Sequence, residues 1–190
     1  AGDETKLTFL HLAGLYDEET AVPTLSHQIA RVYERGLKSR FYAGDPNAGQ
    51  AFIHIEDMTD AIKRAVDRRG NLAPDETILV GEPHAMSYNA LQHRLGNLIH
   101  GERKWYTLNM PKPFAKTAAW VETESEPLVP DALDEGEKPF IRPFMIDLSS
   151  DHYALDIAKA QTLLGWTPKH RIEDNLEGLV AKLKADPLAW

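Results

Sequence analysis

The order of elements predicts an α/β fold with parallel pairing and an incomplete sheet. Three observations carry this. Short apolar strands alternate with helical segments through the first hundred residues, the order that lays helices over parallel strands. The first strand is nearly all apolar, a composition that suits burial on both faces. The chain also enters that strand almost at once and without a Met. It therefore reads as a processed or truncated piece whose remaining strands lie upstream.

Leu7-Thr8-Phe9-Leu10-His11-Leu12 is that first strand, and a run so apolar expects cover on each side. Ala13 to Thr20 carries Gly14 and the acids Asp17, Glu18 and Glu19, the composition of a loop. Pro23 opens a helix where a missing N–H costs nothing. Leu25, Ile29, Val32 and Tyr33 form its apolar stripe, and Gly36 is the expected stop. Arg40 to Ala43 suits a short strand, and Gly44-Asp45-Pro46-Asn47-Ala48-Gly49 is turn chemistry. Phe52-Ile53-His54-Ile55 is the next strand. A helix follows from Glu56 to about Arg69, with Met58, Ala61, Ile62, Ala65 and Val66 expected inward.

Thr77 to Val80 is a third apolar strand. Ser87 is an N-cap, and Leu91, Leu95, Leu98 and Ile99 supply the buried side of its helix. Trp105 to Leu108 suits another strand, and Lys112 to Val121 a helix with Phe114, Ala118 and Val121 on one side. Glu122 to Glu137 holds seven acids, two prolines and no base, which describes a solvated loop. Two helices close the chain, about Asp156 to Leu164 and Glu173 to Ala185, separated by Gly165-Trp166-Thr167-Pro168.

Composition removes several classes of function. Lys plus Arg total 21 and Asp plus Glu total 29, a net charge of −8. An acidic chain lacks the cationic face that neutralises nucleic-acid phosphates or meets an anionic membrane. Uncharged runs such as Pro83 to His93 reach only 11 residues, too short to span a bilayer. No cysteine is present, so disulfides, thiolate metal sites and cysteine nucleophiles are excluded and a reducing, cytoplasmic compartment fits. The polar, acidic start is not a secretory leader.

Several catalytic signatures are also absent. No G-x-G-x-x-G occurs among the 12 glycines. Gly44 and Gly49 have phosphate-loop spacing, but Gln50-Ala51 stand where Lys and Ser/Thr are needed. No Tyr is followed four residues later by Lys, and neither G-x-S-x-G nor H-E-x-x-H occurs. Of the eight histidines, His93 and His100 lie two helical turns apart, and Asp151-His152 pairs a carboxylate with an imidazole. Neither pair brings the three or four convergent ligands a zinc site needs, so no metal site is expected.

Three stretches together resemble the C-terminal half of an extended or atypical short-chain dehydrogenase/reductase of the NAD-dependent epimerase/dehydratase family. Leu10-His11-Leu12-Ala13-Gly14-Leu15-Tyr16 resembles the family's L-R-x-x-x-V-Y-G strand. Gln50-Ala51-Phe52-Ile53-His54-Ile55-Glu56-Asp57, with Asp60-Ala61, resembles R-D-F-I-H-V-D-D-x-x-x-A. Ala154-Leu155-Asp156-Ile157-Ala158-Lys159-Ala160, with Leu163-Leu164-Gly165-Trp166-Thr167-Pro168, resembles the terminal D-x-x-K-A-x-x-x-L-G-W-x-P. The last is the most specific of the three, and the similarity runs over nearly the whole chain. Read from chemistry alone, Asp57 suits a helix start, Gly165 a helix stop and Trp166 an apolar plug. Asp57, Lys159, Gly165 and Trp166 therefore read first as scaffold.

The resemblance implies the C-terminal part of a Rossmann-like doubly wound fold with a small, mostly helical substrate-binding subdomain. Residues 1–85 would complete the sheet, and 86–190 would form the subdomain, including the acidic loop 122–137. It implies hydride exchange between a small-molecule substrate, such as a nucleotide sugar, and NAD or NADP held by a missing N-terminal half. That half would also supply the Tyr and Lys. The fragment alone is expected neither to turn over nor to hold the cofactor. Tyr16 and its loop fall near the nicotinamide end, and Gln50, Arg142 and the helix after Pro23 near the substrate.

The departures bear on specificity. The family's diphosphate-gripping Arg is Gln50 here, its substrate-facing Asn is Gly14 and its early Arg is His11. Losing one charge-assisted bond costs ~1.5–3 kcal/mol. Arg142-Pro143 stands 14 residues before Asp156, a longer gap than the family's. Met110 to Lys116 resembles the proline-led helix of atypical members. Two other readings stay open: a non-catalytic ligand sensor or assembly subunit of the same superfamily, and a self-contained α/β binding domain. An open sheet edge also favours a homodimer.

Overall fold

The structure is a computed structural model, and it describes residues 6–111, 113–114, 117 and 150–187. Its framework is a set of short strand pairs, three of them parallel. β1 (Thr8–Leu12) runs parallel to β6 (Glu76–Val80), with Leu10 opposite Ile78 and Leu12 opposite Val80. At Ala13 the chain changes partner. Ala13 still donates its N–H to Val80 O, whereas Gly14 donates to Ala51 O. β2 (Gly14–Tyr16) then runs parallel to β5 (Phe52–His54). Residues 14–16, expected in a loop, are thus a second strand.

β3 (Phe41–Tyr42) pairs parallel with β8 (Leu108–Asn109). β4 (Gly49–Gln50) pairs antiparallel with β7 (Met86–Ser87). The strand expected at 105–108 therefore starts later, because Trp105 is withdrawn into the core against Gly96. Among the described residues β1 is paired on one side only. This is a mixed α/β fold with small parallel sheets and an incomplete sheet.

Among the described residues four α-helices pack on this frame. α1 (Pro23–Glu34) buries Leu25, Ile29 and Val32, and Arg35 rather than Gly36 takes the left-handed position that ends it. α2 (Ile55–Asp67) is capped by His54, whose Nδ1 accepts the Glu56 N–H. α3 (Tyr88–His100) starts on the Ser87 hydroxyl, as its sequence requires, and stops at Gly101. α4 spans Ile172–Ala185. A π-helical turn over Ala160–Leu164 ends at Gly165, whose φ of 58° suits the residue without a side chain.

Two hydrophobic clusters result, and β5 divides them. Side chains alternate across a strand, so Phe52 joins Leu25, Leu95, Trp105 and Leu176, while Ile53 joins Ala61, Ile78, Leu164 and Trp166. The Trp166 indole donates to Asp57 O beneath α2, as a buried indole N–H requires.

Two expectations of burial fail. β1 presents Phe9 and Leu12 to solvent, and α2 presents Ile62 and Val66. Those residues belong to faces that the described residues leave uncovered. The expected helix at 112–121 lies mostly outside the described residues, and the acidic segment 122–137 and Arg142 lie wholly outside them.

Candidate functional site

Parallel strands gather their functional residues where they end, because the loops leave the sheet there. β2 ends at Tyr16, β5 at His54 and β6 at Val80, followed by Gly81-Glu82. Gly81 is fixed by crowding. A Cβ there would sit 2.6 Å from Ala13 Cβ and from Leu155 Cδ1. This close approach brings Glu82 under β5, where its N–H donates to Phe52 O.

Tyr16 lies inside this junction and is 1% exposed. Its hydroxyl donates to Glu82 Oε1 at 3.3 Å, and its ring stands edge-on to Phe52 and His54. Burial, then the Glu82 charge, pushes the phenol far above its ordinary range. Glu82 is also buried, and burial raises its carboxyl to about 7. Bonds from the Ile172 N–H (2.9 Å) and from Tyr16 oppose that rise. Tyr16 thus backs the site with its hydroxyl turned inward.

Gln50 lies on the other side of β2. Its amide donates to Thr24 Oγ1 at 3.2 Å, in the first turn of α1. Gly14 closes the gap, since a Cβ there would meet Phe52, Val22 and Gln50 at 3.1 to 3.4 Å. The structure therefore brings together Gly14, Gln50 and the helix after Pro23, three places the sequence marks. Tyr153 joins Gln50 through a parallel bridge, and its hydroxyl donates to Asp151 Oδ2 at 3.0 Å. The arrangement offers neutral donors (an amide, a hydroxyl and the first turn of a helix without acids) to a polar ligand. Arg142 lies outside the described residues.

Sequence reasoning missed the polar cluster behind this wall. The buried Asp57 caps nothing in α2. Its Oδ2 accepts the N–H groups of Lys169 and His170 at 3.0 and 2.9 Å. Asp57 and Glu82 thereby hold the segment that leads into α4. The His170 ring stacks on His54 at 4.2 Å. No local signal joins these residues, because they meet only after the 165–171 segment folds back over α2.

Solved structures share this architecture. UDP-glucose 4-epimerase from Thermotoga maritima, solved with UDP-glucose, superposes with a TM-score of 0.57 at 18% identity. The match covers 94% of this chain and 46% of that one. UDP-glucuronic acid 4-epimerase from Bacillus cereus, solved with UDP-glucuronic acid and NAD, gives 0.56 at 17%, covering 93% and 44%. An epimerase from Methanothermobacter thermautotrophicus gives 0.58 at 12%, covering 93% and 43%. No family model and no curated protein sequence matches the chain. Among the described residues no helix is long and apolar enough to cross a membrane. The chain spans less than half the length of these epimerase structures, and what it shares with them is the fold of that part.

Proposed function

We propose that this chain is the substrate-binding portion of an NAD(P)-dependent epimerase/dehydratase-like oxidoreductase acting on a nucleotide sugar or related small molecule. A nucleotide-binding half would complete it. The observation that carries this reading is the agreement between partial coverage and open surface. The chain matches under half of each epimerase structure named above, and among the described residues β1 is paired on one side only, beside exposed Phe9 and Leu12. A further strand and helix set beside β1 would satisfy both.

In that assembly Gln50 and Thr24 form the polar wall facing substrate, and Arg142, which lies outside the described residues, is a further substrate contact by family resemblance. Tyr16 shapes the wall from behind. NAD or NADP, held by the other half, would supply the hydride chemistry, and the proton-transfer Tyr and Lys would come with it. The residues 86–190 contribute the helical side of the substrate cavity. The chain alone neither binds NAD tightly nor turns over.

One observation favours a second reading, a non-catalytic sensor of the same superfamily. Gln50 is neutral and already engaged with Thr24, so this position lacks the guanidinium fork that grips a diphosphate. The intact mass of the native polypeptide and its upstream reading frame test both. The enzyme reading expects a longer chain carrying a glycine fingerprint at a strand-to-helix turn and a Tyr-x-x-x-Lys. The longer chain without Tyr-x-x-x-Lys supports the sensor. A native polypeptide of 21.3 kDa, or tight NAD binding by it in calorimetry, overturns the two-part reading.

A further inference from the structure

At the corner where β5 turns into α2, the imidazoles of His54 and His170 gather with the Glu56 carboxylate, and Glu18 approaches His54 from the loop after β2. His54 ends β5 and is fully buried. Its Nε2 has no hydrogen-bond partner and lies 3.4 Å from Glu18 Oε1. His170, from the strand-like lead into α4, places Nε2 3.5 Å from Glu56 Oε2. Ligand atoms of His54, Glu56 and His170 lie within 4.8 Å of one another. We propose that His54 and His170, with the carboxylates of Glu18 and Glu56, form a binding site for a divalent transition cation of the zinc class.

The chemistry of the donor set selects the class. Two imidazole nitrogens and two carboxylate oxygens suit zinc, cobalt or nickel, whereas magnesium and calcium prefer all-oxygen sets. The placement supplies a floor, a wall and an opening. Buried His54 is the floor. His170 is the wall, with Asp57 Oδ2 behind it at 3.2 Å from Nδ1. A slight ring tilt would turn that contact into the carboxylate–histidine support that orients metal-binding imidazoles. The side chains of Glu18 and Glu56 are 67% and 69% exposed, so they form a solvent-facing mouth free to swing inward. The site does not depend on the substrate reading above.

The geometry also bounds the strength. The His54 and His170 ring planes differ by only 28°, so their in-plane lone pairs do not yet converge. Tetrahedral zinc at 2.0–2.1 Å from each ligand needs donor atoms about 3.3–3.5 Å apart, so the site must contract. Coordination through His54 Nε2 also moves its proton to Nδ1, breaking the 3.3 Å bond from the Glu56 N–H, at about 1 kcal/mol. Micromolar rather than nanomolar affinity is therefore expected.

Titration of the chain with ZnCl2 against a chromogenic chelator, and with CoCl2 by visible absorption, tests this. The expected result is one micromolar equivalent and the intense visible bands of tetrahedral cobalt. Glu18→Gln and Glu56→Gln, both at exposed positions, should each weaken binding about tenfold or more, and His170→Gln should abolish it. Circular dichroism of each variant establishes that it is folded, and the two glutamate variants keep the test intact if His170→Gln is not. Two results overturn the proposal. One is no binding above the buffer blank. The other is binding unchanged in the Glu18→Gln/Glu56→Gln double variant, which would assign the metal to other histidines among the eight.

Discussion

Glu82 sits with its carboxyl between the Tyr16 hydroxyl and the Ile172 N–H at the start of α4, and that position ties stability to pH. Burial raises it from 4.5 to about 7 in the fold. An acid whose pKa is higher folded than unfolded stabilises the fold while protonated. That stability is fully present below about pH 4.5 and is lost as pH rises through 7. At 1.36 kcal/mol per unit, the loss is about 3 kcal/mol. Glu82→Gln keeps an oxygen for the Ile172 N–H and removes the titration. Denaturant unfolding from pH 5 to 8 should show the variant matching the parent at pH 5 and exceeding it at pH 8. Parallel stability curves would place the carboxyl in water. Tyr16 stands out in the sequence because it closes a recognisable strand motif. Glu82 was not, since its partners lie 66 and 90 residues away in sequence and its local context, Gly81-Glu82-Pro83, reads as an ordinary turn.

Elements are where the sequence is most readable, and their failures have physical causes. Helices α1 and α3 follow their apolar stripes, and α3 its cap, because a 3.6-residue period and a Ser87 cap are local signals. β2 was missed because Gly14 and three nearby acids look like a loop. Its pairing comes from β5, a tertiary partner. Gly96 tests how tightly one element is fitted. A Cβ at that position would lie 2.7 to 3.0 Å from Trp105, whose ring also carries the Arg40 guanidinium at 3.5 Å. Replacing an interior helical glycine by alanine gains about 1 kcal/mol in propensity. Overpacking against a buried indole costs about 1–3 kcal/mol. Gly96→Ala should therefore lower stability by up to about 2 kcal/mol and the Tm by up to a few degrees in calorimetry. A rise in Tm would mean that α3 slides off Trp105 without cost. Asp57 makes a related point across elements, because its sequence position marks α2 while its bonds secure the entry to α4.

On the scale of the whole molecule, the surface left bare is as informative as the core. Phe9 is 50% and Val66 56% exposed, with Leu12, Leu79 and Ile62 also open to solvent. Phe9 lies opposite Thr77, and His11 opposite Leu79, on the sheet face turned away from buried Ile78 and half-buried Leu10. Ile62 and Val66 stand one turn apart on α2, on a stripe whose other members pack inward. The sequence reads the strand residues among these as core from their apolar runs, and Ile62 and Val66 from helical spacing. What it cannot encode is whether the covering element belongs to the same described chain. Apolar surface of this kind, beside a strand whose second edge is unpaired among the described residues, drives association. Sedimentation velocity over a concentration series should therefore show this chain assembling reversibly into dimers or larger species. The paired substitutions Phe9→Lys and Val66→Lys touch neither Gln50 nor Thr24, and should shift the distribution to monomer while leaving the circular dichroism spectrum unchanged. A parent chain that stays monomeric at high concentration would mean that this face is tolerated in water. The self-contained binding domain would then displace the two-part enzyme as the better account of the fold.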